Sequence, residues 1–365
     1  MTHSNETRRK NLPKRIKMAQ EVLSIPTSLS ESQIESYFSL FQTNHKIALS
    51  LPVRITFGGN NKLEFLLNQL IITWAQNTVS PTLVLHVSKD ETNKKSYYES
   101  ICKRFYYLTA ITMSDKLLAN DRKTRIYKNE ILEPAVETIK RSQILDFEGS
   151  KASDSIYFLA IAKSINTAFP RPMYRLPEKG AYASQLEFEL LTRKSIDYLL
   201  KQKTSVEEIE VISSCIFELW QNTDEHGLTD SQGNPLKNST RGIVFKRKST
   251  YNTHLNQCNV TVCVFDSGIG ISRRFLKKSD CTHEEEINGI LKSFEKGATS
   301  KSSRGAGFGL ARVKTWAEKA GASLELRDGS SSGSLNALEG NFDFTKITKS
   351  AGVMFMLNFP VRKSI

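Results

Sequence analysis

Residues 205–227 read S-V-E-E-I-E-V-I-S-S-C-I-F-E-L-W-Q-N-T-D-E-H-G. Ser205 with Glu208 three residues on is a capping-box signature. Gly227 stands where such a helix should end. Ile209, Ile212, Ile216 and Leu219 recur with helical period and predict a buried stripe. Beside them runs a polar row, Ser214, Glu218, Asn222 and His226, at spacings of four, which places it on one face. Such a row is ordinarily a solvated face. Here Phe217, Leu219 and Trp220 leave little of the helix free to meet water, so Glu218 and Asn222 point together toward a site.

Two further stretches follow in order. Val260-Thr261-Val262-Cys263-Val264-Phe265 predicts a strand that ends in Asp266-Ser267-Gly268-Ile269-Gly270. A carboxylate at a strand end followed by two glycines lets a planar ligand approach the backbone closely; alone, the pattern is equally a tight turn. The third stretch is polar, Lys296 to Arg304 (K-G-A-T-S-K-S-S-R). It runs through Gly305, Gly307 and Gly309 into Leu310 and a helix, Ala311 to Ala320, stopped by Gly321. A glycine-rich turn opening a helix offers backbone N–H groups to an anion. No strand precedes it, so it is not the dinucleotide fingerprint.

Taken together and in this order, the three stretches resemble the N box and two glycine boxes of the GHKL ATPase superfamily. Its members are gyrase-type topoisomerases, heat-shock chaperone ATPases, histidine kinases and MutL-like repair proteins. The N box is Glu218 to Gly227, the first glycine box Asp266 to Gly270, and the second Arg304 to Leu310, with a lid-like Gly297 to Lys301 before it. The resemblance spans about residues 205–362. It implies an α/β fold of the Bergerat type: a sandwich of a mixed sheet with helices on one face, ATP between the layers, and a lid.

The resemblance also implies roles. Asn222 offers an oxygen to Mg²⁺, which prefers oxygen ligands. Asp266 accepts a hydrogen bond from the adenine amino group, a bond to a charged group worth about 1.5–3 kcal/mol and absent for guanine. Gly268 and Gly270 belong to the adenine box, Gly305, Gly307, Gly309 and Leu310 to the phosphate turn, while His226, Lys301 and Arg304 complete the ATP-binding set. Glu218 is the catalytic candidate, a general base for a water or hydroxyl nucleophile. One position departs from the family: Val353, in A-G-V-M-F, stands where a Thr hydroxyl usually reaches adenine. The Ser- and Gly-rich run Asp328 to Ser350 reads as an inserted loop.

Outward from these boxes the chain is less informative. At 365 residues, two domains are expected. The reading is a basic arm over 1–20, a separate mixed α/β domain over 21–183, and the ATP-binding domain over 184–365, with the boundary near Pro177 to Ala183. In the front half, Val53 to Phe57 and Pro81 to Val87 predict strands, Asn60 to Gln76 and Tyr97 to Thr112 helices, and Ile156 to Ala162 either; His86 reads as a core histidine. Helices are expected over about 184–202 and 206–226. The apolar run Leu66 to Trp74 is broken by Asn68 and Gln69 and falls short of the ~20 residues a membrane helix needs. No apolar segment follows the N-terminus as in a secretory signal. The five cysteines are odd in number and lack C-x-x-C spacing, so reduced structural thiols and a cytoplasmic location are expected, with no zinc site.

Net charge is +13, unevenly spread. Residues 1–205 hold 30 Lys and Arg against 20 Asp and Glu, and residues 206–365 hold 21 against 18. A partner surface is therefore expected in the front half. A protein partner through 21–183 is favoured, because no aromatic–basic stacking motif accompanies the charge; nucleic acid is the alternative, no membrane is expected, and a homodimer stays open. Three activities compete: an ATPase or ATP-driven switch acting through the N-terminal domain, a serine protein kinase resembling anti-sigma-factor kinases, and a non-hydrolysing nucleotide sensor. A histidine autokinase is disfavoured, since His3, His45 and His86 lack the phosphoacceptor context and His283-Glu284 lies between the glycine boxes. The sequence ends at Ile365, just past the last strand, so the transducer domain of gyrase-type enzymes is not expected.

Overall fold

The computed structural model describes residues 21–87, 90–132, 155–161, 185–230, 232–234, 236, 239–247, 257–297, 309–336 and 340–362. The arm at 1–20 and the boundary at 177–183 lie outside them.

The front of the chain forms a five-stranded sheet from β1 (Val22–Ser24), β2 (Ala48–Ser50), β3 (Thr82–Leu85), β4 (Lys116–Ala119) and β5 (Arg125–Ile126). The first four are parallel and lie side by side in chain order, and β5 returns antiparallel. Helices α1 (Glu31–Thr43), α2 (Asn61–Asn77), α3 (Glu91–Cys102) and α4 (Phe105–Met113) make the crossovers. Repeating one right-handed crossover in one direction sends the connecting helices to the same face. The predicted strand at Val53–Phe57 is irregular chain touching Ser28 through a single bridge at Thr56; the strand is Ala48–Ser50, whose residues are all buried. The predicted helix Tyr97–Thr112 is two, broken at Lys103-Arg104. His86 is exposed rather than in the core, its Nε2 2.9 Å from Ser50 Oγ.

The second sheet has seven strands in the order β11-β10-β9-β12-β8-β7-β6. They are β6 (Ser155–Ile161), β7 (Thr240–Arg247), β8 (Gln257–Asp266), β9 (Ser323–Asp328), β10 (Ser331–Asn336), β11 (Asn341–Lys346) and β12 (Val353–Arg362). Every pairing is antiparallel, where a mixed sheet was expected. Asp328–Ser350 is no loop but chiefly the hairpin β10–β11, which widens the sheet; Phe344 lies where a side chain on Gly333 would stand, 2.7 Å from its ring, and Phe342 packs at a tilt against Phe294, ring centroids 4.8 Å apart. Strand β6 pairs with β7, so this sheet reaches back across the boundary expected at 183/184.

One face of this sheet carries α5 (Gln185–Leu200), α6 (Val206–His226) and α9 (Gly309–Lys319), with α7 (Ile271–Leu276) and α8 (His283–Ser293) beside them. Ile209, Ile212, Ile216 and Leu219 of α6 are buried on Ile243, Phe245, Val262, Val264, Phe355 and Leu357. The cap at Ser205 forms at 3.2 Å to Glu208 N, but the Glu208 carboxylate accepts from Arg362 N–H at 3.1 Å and so ties α6 to β12.

Helices were expected on one face of the sheet, with the front domain separate. Instead Val244, Cys263, Phe265, Met354 and Met356 share one core with Phe38 and Phe41 of α1, Phe65 and Leu66 of α2 and Phe105 of α4. The cause is legible in β8: Val260, Val262 and Val264 face one way, Cys263 and Phe265 the other with Thr261, and a strand with apolar side chains on both faces must be covered on both. Helices α1, α2 and α4 thus lie between the two sheets. Polar ties reinforce the junction: Arg327 forks onto Glu35, with Nη2 to Oε2 at 3.2 Å, and lies 4.2 Å over the Phe38 ring; Lys246 pairs with Glu64. Such largely buried pairs, the Arg327 fork above all, orient elements more than they stabilise them. Among the described residues no helix is long and apolar enough to cross a membrane. The five cysteines are free, and all but Cys281 are buried.

Candidate functional site

Helix α6 brings Glu218 and Asn222 to the first turn of α9. A side chain on Gly309 would meet Glu218 Oε2 at 2.8 Å and Asn222 Nδ2 at 3.7 Å, so the absence of one lets the two helices close up. Glu218 is 13% exposed, and its Oε1 accepts from Arg312 Nη1 at 3.0 Å. Asn222 Nδ2 is buried without a hydrogen-bond partner among the described residues. An orphaned buried amide costs on the order of 1–3 kcal/mol unless something meets it. Leu310, next to Gly309, is buried in the core beneath α6.

The end of α6 abuts the second group. Gly227 has an ordinary right-handed φ of −73°, so the left-handed turn that usually calls for glycine at a helix end is not its reason. A Cβ there would lie 2.5 Å from Asp266 Cβ. Gly352, with φ of +70°, comes as close from β12: its Cβ would stand 2.0 Å from the Asp266 carbonyl oxygen. Asp266 is thus hemmed in at the end of β8, accepting the Gly268 N–H at 2.8 Å. Burial pushes its carboxyl up to about 7, and the neighbouring Asp328 adds to the shift, against the Gly268 N–H, the Val353 N–H and Arg241.

Register explains that company. Asp266 pairs with Arg241 on β7 and Val353 on β12, and Val353 pairs with Asp328 on β9. Side chains in register share a face, so a row Arg241–Asp266–Val353–Asp328 crosses the sheet toward α6. Arg241 lies 4.2 Å over the Trp220 ring of that helix. Asp328 accepts from Ser272 N at 2.9 Å and Ser272 Oγ at 2.8 Å, capping α7 from outside, because its N-cap residue is Gly270. Gly270 has φ of +102°, and Asp328 Oδ1 stands 2.1 Å from where its Cβ would be. Burial also raises the Asp328 carboxyl.

The fold therefore groups Glu218, Asn222 and Gly309, and groups Asp266, Gly268 and Gly270. Gly227 joins the groups, nine residues and about 13 Å along α6 from Glu218 at 1.5 Å per residue. The His226 side chain and Lys301, Arg304, Gly305 and Gly307 lie outside what the structure describes. Sequence reasoning missed Arg241, Asp328 and Arg312. Asp328 had a signal, since L-R-D-G ends its strand much as F-D-S-G ends β8. A cleft of about 200 Å³ opens on the α2 side of the same turn, lined by Gln76, Gly268, Ile269, Arg273 and Lys349 among others. Among the described residues no cluster of three His, Cys, Asp or Glu is arranged to hold a metal. Compared with known proteins, the chain matches no family model and no curated relative.

Proposed function

We propose that the chain binds Mg-ATP between α6, α9 and the seven-stranded sheet, as a GHKL-type nucleotide switch of Bergerat architecture that hydrolyses ATP. The observation that carries this reading is Asp266: a buried strand-end carboxylate enclosed by two glycines, one of them ending the helix that bears Glu218 and Asn222. Asp266 accepts the adenine amino hydrogen bond, and the close packing at Gly227 and Gly352 fixes where its carboxyl stands. The orphaned amide of Asn222 fits a polar ligand; amide oxygen and nitrogen are interchangeable by a flip, which turns an oxygen to Mg²⁺. The ion supplies positive charge to the phosphates when bound. Gly309 opens α9 where the phosphates end. Glu218 takes the proton from an attacking water once Arg312 releases it. The N-terminal sheet and its helices carry the output to a protein partner.

A non-hydrolysing nucleotide sensor is the second reading, favoured by the Glu218–Arg312 pair, since a carboxylate held by a guanidinium is occupied as a base. Calorimetry on the whole chain tests the binding claim: ATP should bind in preference to GTP, and Asp266→Asn should weaken ATP. Steady-state turnover separates the two readings. Glu218→Ala should keep ATP and lose hydrolysis by roughly 10²–10⁴-fold. ATP binding without turnover in the unaltered protein selects the sensor, and no ATP binding removes both.

A further inference from the structure

Helix α2, largely buried, carries a polar row, Gln69, Thr73 and Gln76, spaced i, i+4, i+7 on one face. Gln69 and Thr73 are buried. Each residue of the row meets backbone or side chain at one end of the central strands. Gln69 Nε2 donates to Ser350 Oγ at 3.1 Å, and Ser350 Oγ in turn donates to the Gly329 carbonyl at 3.2 Å, one residue past Asp328. Thr73 Oγ1 accepts from Ala351 N–H at 2.9 Å, two residues before Val353. Gln76 Nε2 donates to the Ser267 carbonyl, one residue past Asp266. The two gripped segments also hold each other, through Gly352 N–H to the Gly268 carbonyl at 3.1 Å.

These contacts share a target. They lie at the ends of β8 and β9 and the start of β12, whose register row is Asp266–Val353–Asp328. The row on α2 therefore grips, from behind, the backbone that aims the floor of the candidate site. Gln76 is exposed apart from this contact, so it contributes little to the core and its amide has one evident use. Thr73 is fully buried, and its hydroxyl receives the Ala351 N–H just ahead of β12.

We infer that Thr73 and Gln76 are positioning residues for the nucleotide site: they act through Ser267 and Ala351 to hold the Asp266–Gly268 turn, so that the N-terminal unit sets adenine affinity. The inference rests on the nucleotide reading above. Coupling of this kind is reciprocal, so whatever displaces α2 loosens the nucleotide, and the nucleotide stiffens α2.

The test uses the full-length chain and three variants, Gln76→Ala, Thr73→Val and the conservative Thr73→Ser. Two readouts are taken: amide exchange over 267–269 and 351–353 without nucleotide, and the affinities for ATP and GTP. Gln76→Ala and Thr73→Val should each speed exchange and weaken ATP, on the order of 3–10-fold for one lost hydrogen bond. The preference for ATP over GTP should shrink, which a general loosening would not produce. Thr73→Ser should restore wild-type values, and the melting temperature of Gln76→Ala should stay near wild type. Unchanged exchange, or faster exchange with unchanged ATP affinity and selectivity, overturns the positioning role. A wild-type chain that binds no ATP overturns the nucleotide reading itself, a failure visible without any variant.

Discussion

Asp266 is the carboxylate of the candidate site whose surroundings bear most directly on its charge. Burial pushes its carboxyl up to about 7, against an ordinary value of 3.8. The sign of the consequence is fixed by linkage. Well below pH 4, the group is protonated both in the fold and in the unfolded chain. Between about 4 and 7 the unfolded chain gives up the proton while the fold keeps it, so stability falls as pH rises, and above 7 the loss is constant. At roughly 1.4 kcal/mol per unit, the loss amounts to a few kcal/mol. Asp266→Asn stays neutral throughout and keeps an oxygen for the Gly268 N–H. Melting curves from pH 4 to 8.5 should show the variant gaining on wild type up to about pH 7 and then running parallel. A difference that does not vary with pH would mean that Asp266 titrates as a surface carboxylate. The residue was legible in the sequence as a carboxylate before two glycines, but its burial was not, because that depends on Gly227 and Gly352, 39 residues before it and 86 after it.

At the scale of elements, periodicity carried the helices well. The stripe of α6 and its cap at Ser205 stand as the spacing predicts, because an amphipathic helix is decided by neighbours within one or two turns. Short parallel strands fared worse. Three-residue β2 has too few positions to show alternation, and the better-alternating Val53–Phe57 remains irregular because sheet membership depends on distant partners. Gly227 was read correctly as the end of a helix and for the wrong reason. The distinction is measurable. Gly321, with φ of +60° and open space around it, is a glycine of conformation, and Gly227 is one of close approach. Gly321→Ala should cost about 1–2 kcal/mol through the left-handed backbone and leave ATP affinity untouched. Gly227→Ala should cost a similar 1–3 kcal/mol by overpacking and weaken ATP as well, since its methyl presses on Asp266. Denaturant melts paired with calorimetry check both. Equal ATP affinity in the two variants would detach Gly227 from the site.

For the whole molecule, the layers decide what can be cut. The sequence pointed to a separable domain from residue 184, because motifs and charge change near there. The core does not divide there. Strand β6 pairs with β7, and Val244, Cys263, Phe265, Met354 and Met356 are covered by α1, α2 and α4. A 184–365 fragment would expose that face, a contiguous apolar patch well beyond the isolated residues a soluble surface tolerates. It would also leave Arg327, 4% exposed in the whole chain, without Glu35. Such a fragment is expected to aggregate or to bind hydrophobic dyes as an expanded state. The full chain, with one core spanning both sheets, is expected to melt in a single transition whose calorimetric and van't Hoff enthalpies agree. A monomeric fragment with a cooperative melt of its own would show that the shared core is a contact between two independently stable units. The coupling assigned to α2 would then have to cross an interface that can open, and nucleotide affinity in the fragment, measured beside that of the whole chain, would report how much the front half contributes.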